Sequence, residues 1–229
     1  AHGWSVWLWK YSLRKSQVDV KTSEAYQAWS VSRLARYIPG KVFSYIARAR
    51  LHKTRGTAGI ISASVLEAVS ALAATAFVGL ASALMFSGLF PQGTRNPVIF
   101  LCIVILVGIF FLPFVSSSGL VNKIKIIRDS VQDITVEAIF RLSVLQVPLI
   151  ALHGTSFFII LVAQTGVGVE VYFYIVMAYY LAALLGQAAL LSPAGIGVKE
   201  AGLIFLLTPA IPNNEAALLY SVIIIRLLL

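Results

Sequence analysis

The ionisable side chains of this 229-residue chain gather where the backbone is broken by proline and glycine. In "RYIPGKVFSYIARARL", residues 36–51, Arg36, Tyr37, Lys41 and Arg48 surround the helix-breaking pair Pro39 and Gly40. In "LSPAGIGVKEAGLIFLL", residues 191–207, Pro193, Gly195 and Gly197 lead into Lys199 and Glu200. Two further charges, Glu67 and Arg226, interrupt otherwise apolar runs. Cationic side chains beside backbone N–H groups freed at a turn before a helix suit an anion such as a lipid phosphate. Carboxylates inside apolar segments are costly and are usually paired, so Glu67 is expected to find a cation, with Arg48, Lys199 and Arg226 as the candidates.

Other chemistries are poorly served. Asp129 and Asp133 stand one helical turn apart but are flanked by Lys and Arg, the pattern of a solvated face and not of a metal pair. Cys102 is the one cysteine, set in an apolar run, so neither a disulfide framework nor a thiolate cluster forms within the chain. The "AGIGVKE" segment lacks the G-x-x-x-x-G-K-S/T spacing of a phosphate loop, and no H-E-x-x-H or G-x-S-x-G motif occurs. The expectation is a protein with no catalytic residues, no metal and no cofactor.

The elements that hold these groups are membrane helices. With 59% apolar and 12% charged residues and a mean hydropathy of +0.88, the chain has too little polar surface for a soluble globule. A span takes about 20 apolar residues. The runs 58–90, 97–115, 143–167 and 169–191 are read as four spans, with shorter apolar pieces over 201–211 and 215–229. The fold expected is all-α, a polytopic transmembrane helix bundle. Its two Pro/Gly breaks are read as re-entrant or broken helices, because backbone leaving a helix at membrane depth must be covered by protein or line a wet cavity; an ordinary turn is the alternative at each. A loose likeness between the two breaks suggests a weak internal repeat. The organisation expected is a single transmembrane domain, 1–229, truncated at both ends, with a basic first broken segment over 1–57 and the remaining bundle over 58–229, broken again near 192–200.

Inside the spans, Glu67 shares a face with the small residues Ala63, Ser70, Ala71 and Ala74, which admit a close neighbouring helix. Gln146, His153 and Gln164 lie on one stripe near Pro148. Tyr172, Tyr174, Tyr179 and Tyr180 read as interface and packing aromatics. Residues 123–142 have the spacing of a juxtamembrane amphipathic helix.

The first 55 residues hold 11 Lys or Arg against 2 acids, while residues 56–229 hold 7 of each, so all the net charge of +9 lies in the first quarter. Because that quarter feeds into membrane spans, anionic phospholipid headgroups and not nucleic acid are the expected partner. Positive-inside anchoring is the plain alternative; it places 36–55 and 116–142 in the cytoplasm and 91–96 and 164–170 outside, with 192–200 beginning on the inner side.

The ordered motifs, "LARYIPGKVFSYIARARL" and then "LSPAGIGVKEAGLIFLL", with Glu67 between them, resemble the lysylphosphatidylglycerol synthetase transmembrane family. This is a flippase-like membrane domain found alone or fused to aminoacyl-lipid synthases and to some glycosyltransferases. The family pattern is an R/K-Y-L/I-P-G-K-type motif followed by P-x-G-x-G-x-(K/R)-E-(A/G), and the likeness covers nearly the whole chain. The resemblance implies a multi-pass protein of the inner, cytoplasmic membrane that binds and translocates phospholipid headgroups, anionic or aminoacylated, or polyprenyl-linked lipids. It assigns headgroup contact to Arg36, Tyr37, Lys41, Glu67, Lys199 and Glu200, to which the charges Arg48 and Arg226 are added, and the structural breaks to Pro39, Gly40, Pro193, Gly195 and Gly197. The alternatives left open are a membrane anchor or partner subunit of a separate synthase or glycosyltransferase, an intramembrane lipid transferase, and a homo-oligomer.

Overall fold

A computed structural model of the chain describes residues 2–35, 42–51, 57–85, 88, 93, 95–116, 134–188, 195–211 and 214–228. Among these residues the fold is all-α. The helices are α1 (His2–Lys15), α2 (Thr22–Ala35), α3 (Val42–Leu51), α4 (Thr57–Met85), α5 (Arg95–Ser116), α6 (Val136–Thr165), α7 (Tyr172–Ala188), α8 (Val198–Leu207) and α9 (Glu215–Leu228). Short 3-10 turns at Val169–Val171 and Thr208–Ala210 precede α7 and follow α8.

Alanine and leucine, which form helix at little cost, dominate α4. Its hydroxyls fold back on its own backbone, Ser64 donating to the Ile60 carbonyl at 2.8 Å and Ser70 to that of Leu66 at 2.7 Å. A helix of this kind leaves no backbone group for lipid to satisfy. Thr135 caps α6 by accepting from the Ala138 N–H at 3.1 Å.

Ala58–Met85, Val136–Thr165 and Val169–Gly186 are long and apolar enough to cross a membrane. The fourth expected span, 97–115, falls within the 22-residue α5, whose apolar stretch over the described residues is the shorter Arg95–Phe111. Phe77, Phe100, Phe110, Phe140 and Phe173 are exposed on these helices, as lipid-facing positions of a bundle are. By contrast α3 and α8 have ten residues each, about 15 Å of helix, half of what a hydrocarbon core of about 30 Å requires. Each follows one of the Pro/Gly motifs in the sequence and is too short to cross by itself. Of the breaks themselves, Gly195 and Gly197 are described; Pro39, Gly40 and Pro193 lie outside the described residues, as do Arg36, Tyr37, Lys41, Asp129 and Asp133.

The chain divides into two compact units, Ala1–Ala74 with Ile105–Val147 and Thr75–Val104 with Pro148–Leu229. The division passes through α4, α5 and α6. Val6, Trp9, Leu13, Val18, Val20, Ala25, Trp29, Ile60 and Ala63 form a buried cluster in the first unit. Gly59 permits the approach there, since a Cβ on it would meet Val18 Cγ2 at 2.5 Å and the Ser16 carbonyl at 2.9 Å. In the second unit α7 packs on α8 and α8 on α9; Tyr174, Met177, Ala182, Leu203, Leu207 and Leu218 are buried.

Candidate functional site

Arg48, on the short helix α3, is the centre of a polar cluster in the first unit. Its Nη1 donates to Glu67 Oε2 on α4, its Nε donates to Ser32 Oγ on α2 at 3.0 Å, and its guanidinium lies 4.3 Å from the centre of the Trp9 ring on α1. Four helices therefore meet on one side chain. Arg48 and Glu67 are 11% and 19% exposed, so little water screens the pair. Glu67 is the tenth residue of the 28-residue span Ala58–Met85. If all the residues beyond the ~20 a crossing needs projected from that end, Glu67 would still fall within the hydrocarbon. A lone carboxylate there is prohibitively desolvated, and the guanidinium cancels it.

The small-residue face around Glu67 is used as its composition suggests. Ala63, Ser70 and Ala74 are buried. Gln146 Nε2 donates to the Glu67 carbonyl at 3.2 Å and to Ser70 Oγ at 3.3 Å, and Ser143 Oγ donates to the Ser70 carbonyl at 3.1 Å. These bonds lock α6 against α4 where both are apolar elsewhere.

The second unit repeats the theme with the order of charges reversed. Glu200, near the start of α8, pairs with Arg226 on α9; the two side chains are 18% and 26% exposed. The other oxygen of the same carboxylate, Oε2, accepts from the Gly197 N–H at 2.7 Å, closing the first turn of α8. Gly195 and Gly197 have φ of +70° and +84°, a region open to glycine and strained for other residues. At Gly195 a Cβ would also meet the Gly186 backbone at 2.8 Å, so this turn is pressed against the end of α7.

Lys199 begins at the same level: a Cβ on Gly186 would lie 3.1 Å from Lys199 Cβ. Its ammonium, however, sits 3.9 Å from the centre of the Tyr179 ring, two turns back into the span that ends at Gly186. A lysine at the end of a span ordinarily extends toward water. This one reaches along the span toward its interior, over an aromatic face that stabilises a desolvated cation.

Of the residues expected to bind a headgroup, the structure thus assembles Arg48 with Glu67 and Arg226 with Glu200, and turns Lys199 to Tyr179. Arg48 is the partner of Glu67 among the three candidates. The expected polar stripe has separate roles: Gln146 braces Glu67, His153 Nδ1 lies 3.2 Å from the Tyr180 hydroxyl, and Gln164 is exposed. Tyr174 donates to the Leu206 carbonyl and Tyr172 shares a 2.6 Å hydrogen bond with Thr155, in keeping with a packing role. Trp9, Ser32 and the cation-binding face of Tyr179 escape sequence reasoning. A tryptophan stripe at the start of the chain hints at the first, but nothing in the spacing links Ser32 to Arg48.

No curated protein and no solved structure matches the chain. A family model does: that of the lysylphosphatidylglycerol synthase TM region, over residues 3–228. With that match across essentially its whole length, and with apolar helices long enough to cross a bilayer, the chain is a multi-pass membrane protein that belongs to the lysylphosphatidylglycerol synthase TM region family, a family associated with lipid modification.

Proposed function

We propose that the chain binds the phosphate-bearing headgroup of a phospholipid or polyprenyl-linked lipid at the start of α8 and moves it across the cell membrane. The observation that carries this reading is the inward reach of Lys199. Glu200 is engaged by Arg226 and by the Gly197 N–H, while the neighbouring Lys199 ammonium turns away from it to the Tyr179 ring. Lys199 itself belongs to the first turn of α8, where the helix dipole also favours an anion, and its ammonium reaches on to the Tyr179 ring. The Gly195 and Gly197 turn keeps bulk away from the same place. An acidic headgroup gains from all three features while its acyl tails stay in lipid. On the positive-inside reading the entrance faces the cytoplasmic leaflet.

Arg48 and Glu67 have a different part. They engage each other, with Ser32 and Trp9 around the guanidinium, so this pair ties the short helix α3 to α4, α2 and α1.

The test is a reconstituted translocation assay. Liposomes containing the purified chain carry fluorescent anionic, cationic or zwitterionic lipids, and dithionite bleaches the outer leaflet. Bleaching beyond the outer-leaflet half, reduced at least tenfold in rate by Lys199→Glu with helix content unchanged, is expected. Bleaching that stops at half for every lipid refutes translocation by the chain alone and favours an anchoring or partner-subunit role; bleaching that survives Lys199→Glu refutes the assignment of Lys199.

A further inference from the structure

The outward face of α1 is a feature that the headgroup path does not use. Trp4, Trp7, Tyr11, Arg14 and Lys15 recur at helical spacing on one side of this helix, while Val6, Leu8, Trp9 and Leu13 on the other side are buried. The three rings are not independent. Trp4 stacks on Trp7 with centroids 5.0 Å apart, Trp7 stacks on Tyr11 at 5.7 Å, and the Lys15 ammonium lies 6.0 Å from the Tyr11 ring centre. The result is a continuous aromatic ladder ending in two exposed cations.

Its position is fixed at the other end. Trp4 Nε1 donates to the Leu145 carbonyl of α6 at 2.9 Å. Leu145 is one turn, about 6 Å, beyond Arg141, whose exposed 2.6 Å pair with Glu137 marks the wet end of that helix. The depth just inside such a boundary is where tryptophan accumulates in membrane proteins. α1 itself has 14 residues, about 21 Å, too short to cross. It carries Lys10, Arg14 and Lys15 and no acid.

We propose that this face is a docking site for an anionic phospholipid held in place, separate from the lipid that the Lys199 site moves. Arg14 and Lys15 take the phosphodiester, and the Tyr11, Trp7 and Trp4 ladder covers the glycerol and upper acyl chains. Two observations select this occupant. The two side chains at the ladder's end, Arg14 and Lys15, are both cationic and exposed, which complements a net-negative headgroup and gives a zwitterionic one less advantage. The rings, already stacked on one another, lose little freedom when a lipid is laid against them.

The probe is brominated lipid, which quenches tryptophan on contact. Trp9 and Trp29 are buried, so the quenchable signal comes from Trp4 and Trp7. The full chain is placed in zwitterionic bilayers with a small equal fraction of brominated phosphatidylglycerol or brominated phosphatidylcholine. The expected result is half-maximal quenching at a roughly 30-fold lower fraction of the anionic lipid, the equivalent of about 2 kcal/mol for two surface cations. In R14Q/K15Q, with unchanged helix content and unchanged lipid movement, the two lipids should quench alike. Raising salt should shrink the preference of the unmodified chain, a check that needs no variant. Equal quenching by both lipids in the unmodified chain, or an anionic preference that survives both R14Q/K15Q and high salt, overturns the proposal.

Discussion

Removing one member of the Arg48–Glu67 pair should damage this protein more than removing both. In Arg48→Met the Glu67 carboxylate, 19% exposed and inside a membrane span, loses its counter-charge; in Glu67→Leu the guanidinium, 11% exposed, loses its own. An uncompensated buried charge costs about 3–5 kcal/mol. Arg48→Met also gives up the hydrogen bond to Ser32 and the contact with the Trp9 ring, the latter worth roughly 0.5–2 kcal/mol, so it should be the more harmful of the two. The double variant has no stranded charge, and two apolar side chains of similar bulk fill the space. Its cost should be about 1–2 kcal/mol, the share of Ser32 and Trp9, giving a coupling energy of at least ~3 kcal/mol between the two positions. Equilibrium unfolding in mixed micelles, followed by far-UV circular dichroism, measures all four corners of the cycle. Single-variant losses below about 1 kcal/mol, or a double variant whose loss equals the sum of the singles, would show that the pair is not desolvated and that α3 is held at that depth by something else.

Other outcomes follow from the second unit. Gly195→Ala should lower stability by more than Gly197→Ala: both require a positive φ that costs an alanine about 1–2 kcal/mol, but only at Gly195 does the new methyl meet backbone, that of Gly186 at 2.8 Å. The unfolding midpoints of the two variants give the order, and equal midpoints would contradict it. Glu200→Leu should fray the first turn of α8 and strand Arg226, with a loss of roughly 3 kcal/mol and faster amide exchange at Gly197, which donates to that carboxylate. Lys199→Gln gives up the contact with Tyr179, worth roughly 0.5–2 kcal/mol, and should slow lipid movement at least tenfold in the dithionite assay with helix content unchanged.

The spans were legible because lipid leaves a chain so few choices. A run such as 58–85 contains Glu67 as its one charge, and helix is the structure that satisfies its backbone. The small face at Ala63, Ser70 and Ala74 was likewise readable from the 3.6-residue period, and Glu67 was bound to need a cation there. Which cation was not. Arg48, Lys199 and Arg226 satisfy the same electrostatic requirement, and the choice depends on which short helix reaches which depth. The family motifs located Lys199 and Glu200, but as neighbours they looked alike. The fold separates them: Glu200 turns to Gly197 and Arg226, while Lys199 turns to Tyr179.

Composition and periodicity by themselves determined that this chain is an all-α membrane protein, that its charge is concentrated in the first quarter, and that its Pro/Gly breaks interrupt helices at places rich in cations. These are properties of each segment against its solvent, and burial free energy is nearly a sum over residues. The tertiary structure alone decided that Arg48 answers Glu67, that Trp9 and Ser32 complete that cluster, and that the Lys199 ammonium points into the span. Those facts depend on angles and distances between segments far apart in the chain, and an ion pair or a ring contact forms only when both partners arrive within a few ångströms of each other.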